Sequence, residues 1–415
     1  MEVVSNPGTQ YRVRIGFTVD YTELHLDVEG FAELDSATLG PDAPVYTYTD
    51  VTADVTEITV RRGRERTTDQ HRAGYAAVRL LDQARDYDPE NTAGPYYGNI
   101  VKGRSLLVEF RKTGPTWHTL FAGNIEQIAY DMRPGDFQIA EFVATDPLAT
   151  LGRQAVESDT AVASALTGTR VADILALAGT LAYGTSLAAG TVNVVAGTAE
   201  AGNNILDLLQ QVAAAEGGEF YAAADGTLTF AERYANYNPV TDFTLTPDLT
   251  GVRYSTISLE TAAEVYPQVN ITDSTGAVQT ARNNASYFDY TGTLSPDTGS
   301  LLTAVDAQSL ADYLLARYGE PTTNVRTVQV PVIQQIEHHV HDLLLTDLGD
   351  AVQVERTFTV GAPLTLSEYY GVESIEHRID RGRHDMTIGL GAKTSAGWLT
   401  LDSVAFGTLD NNVLA

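Results

Sequence analysis

Cysteine is missing altogether from the 415 residues, and lysine is reduced to Lys102, Lys112 and Lys393. The first absence removes disulfides, thiolate nucleophiles and cysteine-based zinc sites together. Burial and subunit contacts are left to stabilise the chain. The second leaves arginine as nearly all of the positive charge, with 26 basic against 54 acidic residues and a net charge of −28. An excess of that size argues against a protein that grips nucleic acid by its phosphates. The composition fits either a GC-rich genome or a high-salt setting. No uninterrupted apolar run approaches the ~20 residues that span a bilayer. The start, MEVVSNPGTQYRVR, has no basic segment leading into an apolar core, so neither a membrane anchor nor a secretory signal is expected.

What is present divides into three parts, in line with the two to four domains of roughly 100–200 residues that this length implies. Residues 1–155 alternate apolar and polar positions in short segments between Gly, Pro and Asp-rich turns, which predicts a β-rich domain. Its clearest strands are Tyr11 to Ile15, Ile58 to Val60, Ala76 to Leu80, Leu106 to Phe110 and Phe137 to Val143, and Thr145-Asp146-Pro147 closes it. Residues 156–248 read as an α+β module. In it Val171, Ile174, Leu175 and Ala178, and then Ile205, Leu208, Leu209 and Val212, recur at helical spacing. Asp225-Gly226 is expected to turn a two-residue hairpin. Residues 249–397 read as a second β-rich domain with one helix around Ala307 to Tyr318. Strands are expected at Thr327 to Val332, Ala351 to Val354, Val372 to Ile379 and Met386 to Leu390, and residues 398–415 form a C-terminal tail. The fold class expected is mainly β with an α+β insert.

The run from Asp50 to Gly123 combines a strand ending in Arg61-Arg62-Gly63-Arg64, an Asp86-Tyr87-Asp88-Pro89 turn, a Pro95-Tyr96-Tyr97-Gly98-Asn99 loop and a closing Leu120-Phe121-Ala122-Gly123. In that order these pieces resemble the N-terminal hub domain of minor tail proteins from long-tailed bacteriophages and related tailed viruses. Three further stretches are similar to later parts of the same family: NILDLLQQVAAAEGG with EFYAAADGTLTFAER, DLLLTDLGDAVQVERT, and YYGVESIEHRIDRGRHDMTIGLG. The resemblance implies a structural virion protein of the tail tip with a fold like the baseplate hub, each chain supplying two similar tube-forming β-barrels. It implies a homotrimer whose partners are a distal tail protein or tail tube protein, a tape measure protein, and other minor tail or receptor-binding proteins. Genomic DNA would pass through its channel in ejection without specific binding. Acidic residues lining that channel would repel DNA, and ordinary solubility is the alternative reason for the charge. A receptor- or carbohydrate-binding tail adhesin is the alternative function, supported by 21 Tyr.

No catalytic, cofactor-binding or metal site is expected. His339 and His341 would share one face of a strand, a spacing compatible with metal, yet no fourth ligand accompanies them, and a surface or interface turn is expected. Asp82, Asp86, Asp88 and Glu90 lack the Gly and Glu of a calcium loop and read as turn chemistry. Gly389 to Thr394 lacks the glycines of a phosphate loop and reads as a strand end. Gly184 to Ala188 lacks the second Gly of a nucleophile elbow. Arg61, Arg62, Arg64 and Arg66, joined by His71 and Arg72, are expected to make a salt-bridged subunit contact.

Overall fold

Strands form where one face can be buried at every second residue. In β3 (Val55–Gly63) the inward set is Val55, Ile58, Val60 and Arg62; in β4 (Arg72–Asp82) it is Gly74, Ala76, Val78, Leu80 and Asp82. With β1 (Gln10–Asp20), β2 (Val45–Asp50), β5 (Ser105–Arg111), β6 (His118–Met132) and β7 (Gln138–Thr145) they are hydrogen-bonded in the order β3-β4-β7-β6-β5-β1-β2. The computed structural model describes residues 9–20, 45–112, 114–132, 138–179, 183–235, 243–261, 264–361 and 364–392. Phe137, Lys393 and the expected tail lie outside the described residues.

The Asp-Tyr-Asp-Pro turn and Pro-Tyr-Tyr-Gly loop cover this core. Asp82 accepts from the Asp86 and Tyr87 amides at 2.8 and 3.1 Å, Asp88 pairs with Arg85, and Tyr87 donates to Asp54 at 2.6 Å. Tyr96 then stacks on Phe17 with ring centroids 4.2 Å apart. The carboxylates serve the turn, as expected.

Three helices follow: α1 (Pro147–Leu151), α2 (Thr167–Leu177) and α3 (Ile205–Glu216). Asp146 caps α1 by accepting from Leu148 N, and Asn204 caps α3 by accepting from Asp207 N. Gly217 ends α3 at φ 71, the left-handed cap where a side chain is disfavoured. Short strands β8 (Thr160–Val162), β9 (Ala165–Leu166), β10 (Thr185–Leu187), β11 (Asn193–Val194), β12 (Gly197–Ala199), β13 (Glu219–Ala222) and β14 (Leu228–Ala231) complete the module. Its core is Leu148, Leu151, Val171, Ile174, Ile205, Leu209, Val212, Phe220, Leu228 and Phe230. The β13–β14 hairpin differs from the expected two-residue turn. Ala223 N bonds Thr227 O and Gly226 N bonds Ala223 O, so three residues form the loop and Gly226, at φ 85, supplies its left-handed position.

The chain returns to β at β15 (Phe243–Thr246), β16 (Val252–Arg253) and β17 (Thr256–Thr261). It then makes a separate sheet of β18 (Gln268–Thr272), β19 (Val278–Arg282) and β20 (Thr293–Leu294) with α4 (Asn284–Tyr287) and α5 (Ala304–Tyr318). That group has its own core, which includes Val192 and Val194 of the module and Val269, Ile271, Leu302, Leu310 and Ala311. Thr303 caps α5 by accepting from Asp306 N, so the helix begins a turn earlier than Ala307. After it come β21 (Thr323–Pro331), α6 (Glu337–Leu345), β22 (Ala351–Phe358), β23 (Leu364–Asp380) and β24 (Arg383–Ala392). Gly389 and Gly391 lie in β24, a strand as expected.

The second set of strands repeats the first. Its hydrogen-bonded order is β17-β21-β24-β23-β22-β15-β16, which maps strand for strand, in chain order, onto β3-β4-β7-β6-β5-β1-β2. Registers agree as well: Ile58 faces Val78, Val78 faces Phe142 and Phe142 faces Ile128, while Ile257 faces Val328, Val328 faces Ile388 and Ile388 faces Ile375. A bulge falls at Glu126 in β6 and at the equivalent Glu373 in β23. Two pairings differ: β15 joins both β22 and β16 in parallel, where β1 joins β5 and β2 antiparallel. The two seven-stranded units fuse into one 14-stranded sheet because β3 pairs with β23, Glu57 to Gly63 against Asp380 to Ser374. A single buried core runs through both units.

Candidate functional site

Arg62 and Arg64 stand on either side of Gly63 at the end of β3, where the two units and the module meet. Both are buried, contrary to the expectation of a subunit contact. Arg62 NH1 donates to Asp347 Oδ1 at 2.5 Å, and Asp347 Oδ2 accepts from the Ala224 amide at 2.8 Å. Arg64 Nε donates to Glu373 Oε2 at 2.5 Å, and its NH2 donates to Glu219 Oε1 at 2.6 Å. One arginine therefore ties the end of β3 to the bulge of β23 and to the hairpin strand β13 of the module. Of the rest of the patch, His71 is buried, while Arg61, Arg66 and Arg72 are exposed, Arg61 pairing with Glu65 at 3.1 Å. The physical reason is geometry: alternation along β3 turns Arg62 inward, and the left-handed step at Gly63 (φ 101) carries Arg64 inward as well.

Electrostatics follow from this burial. Desolvation alone would raise the Glu219 carboxyl, but Arg64 and His71 outweigh it and hold the group well below the usual carboxylate range. Desolvation would lower Arg64, and Glu219 and Glu373 keep it charged. Among the described residues, His71, Glu219 and Glu373 are the ones that could gather a metal ion. The guanidinium of Arg64 already supplies the positive charge between the two carboxylates, so the arrangement works as a junction. A cavity of about 360 Å³ opens beside it, lined by His71, Gln210, Gly218, Leu314 and Tyr318 among others.

The segment Asp347-Leu348-Gly349-Asp350, singled out in the sequence for its family likeness, forms the third side. Gly349 takes φ 80, a Cβ there would meet the Tyr221 hydroxyl, and its amide bonds Val372 O at 2.9 Å. Sequence reasoning found these motifs but not their partners. Glu219, Glu373 and Asp347 were each visible inside a quoted motif, and nothing in their spacing pointed to Arg62 or Arg64.

The histidines expected on one strand face lie on α6. Val340, Leu343 and Leu344 are buried at helical spacing, a signal present in the sequence, and they place His339 and His341 two residues apart on a helix, on different faces. His341 meets His118 of β6 at 5.3 Å between ring centroids. Thr185 to Leu187 of the Gly184 to Ala188 segment form β10, a strand parallel to β14.

A second buried polar group lies behind β3. Tyr11 and His384 are 2.6 Å apart from Oη to Nδ1, and His384 Nε2 is 3.1 Å from His377 Nδ1. Burial pushes the Tyr11 hydroxyl up, so it donates, and both rings can then be satisfied as neutral tautomers. Burial, with Arg62 nearby, pushes His377 down to about 3, and burial, with His377 beside it, pushes His384 well below its ordinary value. Asp146 shifts the other way, up to about 7 through burial, although the Gly74 and Leu148 amides oppose the shift. Between about pH 6.5 and 4.5 the unfolded histidines bind protons that the folded ones refuse, so acid destabilises. Over the same window folded Asp146 binds a proton that the unfolded chain does not, so acid stabilises. The two offset each other in the native protein. Asp146→Asn is therefore expected to lose stability more steeply with acid than the native protein, by up to ~1.4 kcal/mol per pH unit, the slope that the single Asp146 carboxyl no longer offsets. Thermal melts from pH 7.5 to 4.5 check this; parallel curves for the two proteins would contradict it.

No protein-family model matches the sequence, and no curated protein matches it. Solved structures do. The 43 kDa tail protein of prophage MuSo2 from Shewanella oneidensis superposes with a TM-score of 0.58 at 12% identity, covering 92% of this chain and 98% of that one. A tail protein from Neisseria meningitidis MC58 gives 0.55 at 12% identity, covering 92% and 96%. Almost the whole of each chain takes part, so the likeness includes both seven-stranded units and the module. This chain has the fold of prophage tail proteins, and the resemblance read from its sequence holds at that level.

Proposed function

We propose that this chain is a structural protein of the virion tail tip, a homotrimeric hub that joins the tail tube or distal tail protein to the tip and surrounds the DNA channel. The observation that carries the reading is the duplicated seven-stranded unit. Three chains with two like units each give six, which suits a ring facing a sixfold tube, while the other surfaces keep threefold symmetry for the parts below. In this reading the β regions within 1–155 and 249–397 are the tube-forming barrel domains and 156–248 is the module that braces them. The tape measure protein would end in the channel, and receptor-binding or other minor tail proteins would attach below.

Two further observations support it. The carboxylates at the central junction are engaged by Arg64, which suits a brace and not a catalyst. With a net charge of −28, and with Arg62 and Arg64 buried so that Arg61, Arg66 and Arg72 are what the cluster exposes, the chain offers phosphates few cations against many carboxylates, which suits a genome that passes without adhering. Mass photometry of the purified chain and a symmetry-free reconstruction of tail tips are expected to give three copies. One copy or six per tail would refute the hub.

A further inference from the structure

Two of the strand edges left unpaired among the described residues are the counterparts of the two edges that pair inside the chain. In β23 the half that follows the Glu373 bulge, Ser374 to Asp380, is bonded to β24 on one side and to β3 on the other. Its counterpart in β6, Gln127 to Met132 after the Glu126 bulge, is bonded to β7 on one side only, since pairing with β5 ends at Asn124. On the other unit, β17 is the counterpart of β3 and pairs with β21 alone. Thr256, Ser258, Leu259, Glu260 and Thr261 of that strand are exposed, with Leu259 at 43%. A free edge with an exposed leucine is a template for another strand.

We propose that β17 of one copy of this chain adds, antiparallel, to the free edge of β6 in the next copy, repeating between chains the seam that β3 and β23 make within one. This rests on the hub reading for the number of copies and goes beyond it in naming the surface. The occupant follows from equivalence: the only strand for which the edge of β6 has a built counterpart is a β3-like one, and β17 is that strand. Register follows too. Thr59 faces Arg378 in the internal seam; Ser258 is the counterpart of Thr59 and Asp131 that of Arg378, so Ser258 of one copy meets Asp131 of its neighbour. The contact is head-to-tail, the kind that closes into a ring when its rotation allows. It differs from the internal seam in one respect. Glu126 is bound by Arg153 of its own chain at 2.6 Å, so the seam between copies lacks the buried arginine that locks the inner one.

Because the chain has no cysteine, the full-length protein tests this directly. The double variant Ser258→Cys with Asp131→Cys, two exposed positions, is expected to form an intermolecular disulfide under mild oxidation, giving dimer and trimer bands on a non-reducing gel. Each single variant should give neither a ladder nor a trimer band, and Thr261→Cys with Asp131→Cys, out of register, should link at least tenfold less. Trimers by mass photometry with no cross-link at Ser258 and Asp131 would overturn the seam while leaving the hub standing. A chain that stays monomeric at all concentrations would overturn both.

Discussion

Arg64→Met is expected to cost about 3–5 kcal/mol of folding stability, because it keeps the packing of the side-chain stem but leaves Glu219 and Glu373 buried beside each other without their cation. The loss should depend on pH in a telling direction. With Arg64 present, the depressed Glu219 carboxyl contributes stability that is complete above its unfolded value near 4.5 and is lost as pH falls further. Without it, the two carboxylates repel and desolvation dominates, so the variant should recover part of its deficit as pH drops from 8 to 5 and one of them takes up a proton. Urea titrations of both proteins at pH 8 and pH 5 measure this. Adding Glu219→Gln to Arg64→Met should restore stability relative to Arg64→Met alone, since one unpaired charge disappears. A deficit below 1 kcal/mol at pH 8 would mean that the junction does not brace the three parts.

Gly63→Ala is expected to be nearly as damaging. Gly63 takes φ 101, and a Cβ there would run into the Glu373 carbonyl oxygen, the same oxygen that accepts from the Arg64 amide at 2.9 Å. Left-handed strain contributes ~1–3 kcal/mol and the collision a further ~1–3 kcal/mol, both at the end of the β3–β23 seam. Gly382, in the turn between β23 and β24, is the internal control: it has nearly the same φ, 102, but open space where a Cβ would go. Gly382→Ala should therefore show the strain without the collision, and its melting temperature should fall well short of the drop at Gly63. Equal losses would place the whole effect in backbone conformation and none in the close approach of the two units.

Much of the secondary structure was legible because it is set by local pattern. β1, β3, β4 and β5 alternate since one face is buried throughout, and α2, α3 and α5 announce themselves through apolar spacing and a glycine at or just beyond the end, although the Thr303 cap that starts α5 was missed. Where the pattern is mixed, the reading fell short. Only the later half of β23, Val372 to Ile379, was expected as a strand, because Thr365, Ser367, Glu368 and Tyr369 are exposed and Leu366 alone packs against the core there. The histidine segment was read by its His spacing, when the buried set was Val340, Leu343 and Leu344.

By itself the sequence determined the class of the fold, the strand and helix content, and a family likeness carried by short motifs, since each depends on residues within a few positions of one another. Tertiary structure decided what those motifs are for. The Arg-Gly-Arg step looked like an outer contact and is a buried tie, because its partners Glu219, Glu373 and Asp347 lie 155 to 309 residues away. The duplication, implied by the family resemblance, was not visible in the residues themselves. Equivalent positions such as Phe142 and Ile388 share only apolar character, and single matches such as Ile58 with Ile257 arise in many sequences, whereas hydrogen-bond register between strands admits one alignment and becomes visible only when the strands are paired.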